Sequence, residues 1–395
     1  MKFLFATDSL KGTLSSTAAA RLLCQAAQEV FDDAECHWIP MADGGEGTTE
    51  AILAATHGKI VKAMVHNPLG EIIPSYFGEI TPQQALIEMA AASGLTLVPP
   101  TQRNPLHTTS MGTGELIKAA IDRQYAEIFI SLGGSATNDG GMGCMQALGV
   151  RFLDAEGNEL RGEGANLGKV VQVDASHLDK RIANTRFTVL CDVTNPLCGP
   201  HGATHTFAAQ KGADEAAIGL LEKGMTHFQS VLESELQQSI GTIAGSGAAG
   251  GLGAALFAWL HAKPIRGVEA VLQLNHFDQL LENVDLVVTG EGRADEQSCY
   301  GKVIQGIASH CQQMGVPVIA LVGSVGKGAE KLLEQGLLKI FTTTETPLSW
   351  EETQAHAQED YLEGARRMFQ KIKNWEFKSK HLSPARANQK NSTIQ

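Results

Sequence analysis

Several common chemistries are missing from this chain of 395 residues. Its seven cysteines (24, 36, 144, 191, 198, 299 and 311) are odd in number and form no C-x-x-C pair. Neither a disulfide framework nor a thiolate zinc site is therefore indicated, and a reducing cytoplasm fits this usage. Aromatic residues make up only 6%. An excess of basic charge is absent as well: 31 Lys and Arg against 43 Asp and Glu leave a formal charge of −12. That balance argues against a nucleic-acid or anionic-membrane surface, which needs a clustered basic face. The longest mild apolar run, 247–260, is mostly Gly and Ala and falls short of the roughly 20 residues that a membrane span requires. At the start, Asp8 interrupts MKFLFATDS well before a signal-type apolar region could form. An anionic ligand would thus have to be held by local donors.

Glycine, at 42 residues, is plentiful, and it gathers where apolar runs stop. The organising stretch is EIFISLGGSATNDGGMGCMQALG, Glu127 to Gly149. Ile128 to Leu132 reads as a buried strand, Gly133 and Gly134 end it, and a helix is expected through Met145 and Leu148. Such a strand–turn–helix junction exposes unpaired N–H groups beside a partial positive charge, the arrangement that cradles phosphate or carboxylate; it can also be a plain βα turn. The same arrangement recurs at Asp8 to Lys11, Asp43 to Gly47, Asp192 to Asn195, Thr289 to Asp295 and Gly323 to Lys327. Ligands of open α/β sheets bind outside the carboxyl ends of the strands, so this repetition points to a site.

The intervening pattern supplies the elements. A strand at Phe3 to Ala6 leads to a helix with Ala18, Leu22, Ala26 and Val30 on one face. Runs near Val61–Val65 and Ile72–Phe77 flank Asn67-Pro68-Leu69-Gly70, a hairpin signal. Ala85 to Met89 and Phe187 to Leu190 read as strands, and 214–238 as an amphipathic helix. Simple alternation returns in the last third: strands at Val284–Thr289, Val316–Val322 and Leu338–Phe341, helices from about Ser298 to Met314 and from Trp350 to Ile372. Alternation at both ends around a differently patterned middle suggests that the termini build one domain jointly.

The carboxylates Asp8, Asp43, Glu46, Asp192, Glu291 and Asp295 are hard oxygen ligands of the kind that suits Mg²⁺; each could equally cap a helix or close an Asx turn. Lys302, at the start of an expected helix, opposes the helix dipole unless an anion sits there too, and Lys11 could act likewise. His201 and His205 have metal-pair spacing, but the Glu of H-E-x-x-H is missing, and Pro200 and Gly202 argue against a helix. No Walker A is present. Gly245 to Gly250 matches G-x-G-x-x-G, although its upstream strand, Thr242–Ala244, is poor for a dinucleotide fingerprint.

DSLKGT (8–13), PMADGGEGT (40–48), GGSATNDGG (133–141), CDVTNPLCG (191–199), GAAGGLGAAL (247–256) and TGEGRADEQSCYGK (289–302) together resemble the type 1 glycerate kinase family of bacteria, in order from Met1 to about Lys373. Leu10 stands where the family more often has an aromatic, and Met142 to Cys144 where small residues are usual. The resemblance implies an α/β fold of two domains: a discontinuous Rossmann-like domain with a three-layer parallel sheet (1–82 and 283–376) and an inserted α/β domain (83–282), followed by a polar tail (377–395). It implies ATP-dependent phosphorylation of D-glycerate with Mg²⁺ at the 2-hydroxyl, with the 3-hydroxyl as alternative, in a site between the domains.

On that basis Asp192, Lys11 and Lys302 are the expected catalytic residues, with Asp192 orienting the attacking hydroxyl and the lysines neutralising charge. Asp8, Asp43, Glu291 and Asp295 would face the metal. Ser9, Gly44, Gly45, Gly134, Ser135, Thr137, Asn138, Asn195, Gly245, Gly247, Gly250, Gly290, Gly292 and Ser298 would contact substrate or phosphate. An NAD-dependent oxidoreductase and a non-catalytic sensor of small phosphorylated acids are the rival readings. A small-molecule substrate is expected, with no nucleic acid or membrane partner; homo-oligomer formation stays open.

Overall fold

The structure, a computed structural model, describes residues 1–10, 12–42, 47–299, 302–346 and 349–374. Its strands are β1 (Lys2–Thr7), β2 (Glu35–Trp38), β3 (Lys59–His66), β4 (Ile72–Thr81), β5 (Gln84–Glu88), β6 (Glu127–Ser131), β7 (Arg151–Leu153), β8 (Gln172–Asp174), β9 (Arg186–Leu190), β10 (Lys263–Ile265), β11 (Leu286–Gly290), β12 (Arg293–Ala294), β13 (Val318–Val322), β14 (Ser324–Val325) and β15 (Ile340–Thr342). The chain divides into two compact units, Met1–Asp43 with Val271–Gln395, and Gly44–Ala270.

The first unit is built on a parallel sheet ordered β15-β13-β11-β1-β2. Residues of β11 and β13 are buried throughout, as expected for parallel strands covered on both faces. Phe3, Phe5, Leu286, Val288, Ile319 and Leu321 form one face, packed by Leu23 of the helix Ser16–Val30 and by Tyr361, Met368 and Phe369 of the helix Trp350–Asn374. Alternation turns Leu4 and Val287 the other way, where the helix Val303–Met314 buries Val303, Ile304 and Ile307. Because β2 lies on one side of β1 and β11 on the other, the chain reverses direction at β1/β11, the switch point at which such sheets bind ligands.

The second unit carries a sheet ordered β10-β9-β6-β5-β4-β3, parallel from β10 to β5 and antiparallel from β5 to β3. The expected hairpin is β3–β4. Asn67 closes it by accepting from Leu69 N–H (2.9 Å) and Glu71 N–H (3.0 Å). The division of the chain differs from the expected boundaries at 82/83 and 282/283. β4 pairs with β5 through Gly78↔Leu86, so the hairpin extends the second sheet and 48–82 belongs to the second unit. The core of this unit includes the helix Ala248–Leu260, buried at every position. Among the described residues no helix is long and apolar enough to cross a membrane.

Candidate active site

In the first unit the carboxyl ends of β1, β11, β13 and β15 open into a cavity of about 600 Å³. Asp8 follows β1 and Glu291 follows β11, and both line the cavity although each is only 7% exposed. The backbone holds them there: Asp8 N–H donates to Gly290 O (2.8 Å), and the Asp8 carboxylate accepts from Ser9 N–H (2.7 Å). Two loops beyond the sheet are laced together. Gly323 N–H donates to Glu291 O (3.2 Å), Ser324 N–H to Gly292 O (3.1 Å) and Gly326 N–H to Ala294 O (2.7 Å), with β12 and β14 as the resulting parallel pair. Close approach of neighbouring backbones, between β11 and β13 and between the laced loops, explains two glycines. A Cβ at Gly290 would lie 2.0 Å from Leu321 O, and one at Gly323 would lie 2.5 Å from Gly292 O.

Lys302, Arg293, Ser9 and Ser324 also line the cavity. Lys302 occupies the N-cap of the helix Val303–Met314, and its ammonium donates to Gln297 Oε1 (3.2 Å). Asp295 and Ser298 serve the local turn: Asp295 N–H donates to Ser298 Oγ (3.1 Å), and the Asp295 carboxylate accepts from Gln297 N–H (2.9 Å) and faces Arg293 (3.5 Å). Of the expected residues, then, Asp8, Ser9, Glu291, Gly292 and Lys302 come together, while Gly290 ends the strand. Lys11, Asp43, Gly44, Gly45 and Glu46 lie outside the described residues. Arg293, Trp350 and Thr343 line the cavity without having been expected there. The scarcity of aromatics was the one sequence signal that could have singled out Trp350.

In the second unit the loops after β6 and β9 meet the glycine-rich stretch 245–253. Gly134 (φ +75°) is exposed and its carbonyl accepts from Leu95 N–H (2.8 Å), next to the partly exposed Ser135. Thr137 and Asn138 point inward and are fully buried; Asn138 Nδ2 donates to Thr204 Oγ1 (3.2 Å). Asp139 is buried and accepts from Ser110 N–H and Oγ–H, Gly141 N–H and Gly143 N–H. Burial raises its pKa and those donors oppose the rise.

Gly245, Gly247 and Gly250 are all buried. A Cβ at Gly250 (φ +66°) would lie 2.0 Å from Thr137 O, and one at Gly247 would lie 2.2 Å from Pro196 O. These glycines let one loop backbone lie on another, and Gly140 N–H donates to Gly250 O (3.0 Å). No strand precedes Gly245, and Ala249 to Gly251 leave the helical conformation, so the dinucleotide fingerprint lacks its strand–turn–helix frame. Asn195 braces the same region, accepting from Gly247 N–H (3.0 Å) and donating to His201 O (2.7 Å). Asp192 is exposed, and its Oδ1 accepts from Gly267 N–H (2.8 Å) at the start of the helix Gly267–Leu274.

Two buried charged residues had no sequence signal. Lys211, 2% exposed, donates from Nζ to Thr137 O (2.7 Å), and burial pulls its pKa down to about 7, against an opposing pull from Asp139. Glu88 at the end of β5 accepts from Thr49 N–H (2.5 Å) and so caps the helix Thr48–Thr56, whose own N-cap Gly47 has no side chain to do so; burial raises its pKa. Among the described residues no group of three His, Cys, Asp or Glu could hold a metal, and His201 and His205 form none.

The glycerate kinase family model matches residues 3–373. The chain belongs to the glycerate kinase family. It is 42% identical over 364 residues to the glycerate kinase of Bacillus subtilis (strain 168), covering 92% of this chain and 95% of that protein. It is 43% identical over 343 residues to the glycerate 2-kinase of Escherichia coli (strain K12), covering 87% and 90%. A crystal structure from Salmonella typhimurium LT2 named as glycerate kinase 2 superposes with a TM-score of 0.84 at 42% identity, covering 95% of this chain and 98% of that one.

Leu10, Met142 and Cys144, the positions expected to depart from the family pattern, are all buried. Described residues of DSLKGT and TGEGRADEQSCYGK line the strand-end cavity.

Proposed function

We propose that this chain transfers the γ-phosphoryl group of ATP to the 2-hydroxyl of D-glycerate, giving 2-phosphoglycerate and ADP. The observation that carries the reading is the strand-end cavity in a chain of this family, where two buried carboxylates stand with Lys302, Arg293 and several hydroxyls. The 2-position follows the relative named glycerate 2-kinase.

Phosphoryl transfer asks a protein for positioning and charge stabilisation more than for covalent chemistry. In the first unit, Lys302 and Lys11 neutralise charge on the transferring group, and the laced loops hold the cavity rim in shape. Asp8 and Glu291 suit Mg²⁺, which takes one or two carboxylates and fills its other positions with water and phosphate. When bound, the ion would supply positive charge that offsets the negative charge of the phosphates. Asp295, whose carboxylate accepts from Gln297 N–H and faces Arg293, holds the turn beside the cavity.

In the second unit, exposed Gly134 and partly exposed Ser135 offer backbone N–H groups to the glycerate carboxylate, while Thr137, Asn138, Asn195, Gly245, Gly247 and Gly250 hold that loop system in shape. Asp192, fixed in one orientation by Gly267 N–H, accepts the proton of the attacking hydroxyl. Coupled ADP release with D-glycerate and MgATP tests the reading, with NMR of the product. Turnover to 2-phosphoglycerate is expected. Formation of 3-phosphoglycerate would overturn the 2-position, and binding without turnover would leave a sensor.

A further inference from the structure

The cavity of the first unit is lined by two kinds of surface. One is Lys302, Arg293 and the laced loops; the other is one face of the helix Trp350–Asn374, which presents Trp350, Thr353, Ala357 and Asp360 at spacings of three or four residues, and such residues share a side of a helix. Trp350 is 57% exposed, more than Trp38 at 37% or Trp259 at 5%. A large indole left open inside a concave polar site, in a chain so poor in aromatics, is the kind of apolar surface that a ligand covers.

The indole is also held ready. Ser349 and Glu352 form a reciprocal cap: Ser349 N–H and Oγ–H donate to Glu352 Oε2 (2.9 and 2.8 Å), and Glu352 N–H donates to Ser349 Oγ (3.3 Å). This capping box fixes where the helix begins and therefore where Trp350 stands. Across from it the loop after β1 is bare at Gly12, where a Cβ would lie 3.0 Å from Trp350 Cη2 and Cζ2. One edge of the ring is thus seated against the chain.

We propose that the purine base of the nucleotide stacks on the Trp350 indole, with the triphosphate running toward Lys302 and the laced loops. This rests on the reading that the cavity takes ATP. Stacking needs only a π-face, so it accounts for base affinity without base-edge contacts, and truncating such an aromatic costs about tenfold to a hundredfold in affinity.

The test compares ATP with inorganic tripolyphosphate, a competitor that has the phosphates and no base. In Trp350→Ala, KM for ATP should rise about tenfold to a hundredfold while the inhibition constant of tripolyphosphate and the KM for D-glycerate stay within about twofold. Trp350→Phe, which keeps a ring, should recover most of the ATP affinity and shows that the position tolerates change. Quenching of tryptophan fluorescence by ATP should disappear in both variants. An unchanged KM for ATP in Trp350→Ala, or equal weakening of ATP and tripolyphosphate, would overturn the stacking. If instead Lys302→Met moves neither the tripolyphosphate constant nor the KM for ATP, the nucleotide lies elsewhere, and the underlying reading falls along with the stacking.

Discussion

Replacing Lys211 with methionine separates the charge of this buried side chain from its volume. In the folded protein burial holds its pKa at about 7; in an unfolded chain a lysine titrates near 10.4. Between those values the unfolded chain carries a proton that the folded chain does not. Stability therefore rises with pH across this window, and the cost of burying the charge is fully present below pH 7. The window spans about 3.4 pH units, which at about 1.4 kcal/mol each comes to about 5 kcal/mol. Methionine fills similar space and has no proton to bind, and other titrations are common to both proteins. The variant also loses the bond to Thr137 O, a charge-assisted contact worth about 1.5–3 kcal/mol while the ammonium is charged. The measurement is the urea midpoint of each protein from pH 6 to pH 10.5, followed by circular dichroism. With an m-value of about 2–3 kcal/mol/M, the difference between the midpoints should shift by about 2 M in favour of the lysine protein as pH rises. Parallel midpoint curves would show that Lys211 keeps its proton in the fold, and the reasoning would be refuted.

Two further substitutions address the second unit. Gly250→Ala places a Cβ 2.0 Å from Thr137 O at φ +66°, so it should destabilise by about 2–4 kcal/mol, combining left-handed strain with overpacking. Gly219→Ala, on an exposed helical position with open space around its Cβ, should instead gain up to about 1 kcal/mol, and calorimetry distinguishes the two. Asp192→Asn keeps an oxygen that can accept from Gly267 N–H, so the fold should survive while kcat falls by about 10²- to 10⁴-fold. Near-normal kcat with an unaltered pH profile would remove the base role.

Much of the first unit was legible because its strands are continuous apolar runs. Phe3–Ala6 and Val316–Val322 announce fully covered parallel strands, and β1 and β13 are found there. The hairpin was legible through Asn67 and Gly70. Its membership was not, since only the long-range pairing of β4 with β5 assigns it to the second unit, and local pattern carries no such information. β10 was missed because three residues, one of them a proline, make too short a signal. Among the site residues, the acidic strand-end positions Asp8 and Glu291 were readable from composition at junctions. The role of Gly247 and Gly250 was not, because a glycine that admits a phosphate and one that admits a neighbouring carbonyl look alike in sequence. Lys211 offered no clue at all: its importance comes from burial, which depends on what folds around it.

The ladder between residues 291–296 and 323–327 has a dynamic consequence. Each half emerges from a different strand, yet the amide hydrogens of Gly323, Ser324 and Gly326 are protected by carbonyls of the opposite half. They should exchange with solvent deuterium in concert, at a rate set by the whole cluster opening and not by either segment alone. The rim of the strand-end cavity would then open as a single piece. A change at Ala294 would loosen Gly326, 32 positions downstream in the chain, and distance along the sequence would be a poor guide to which residues share a fate.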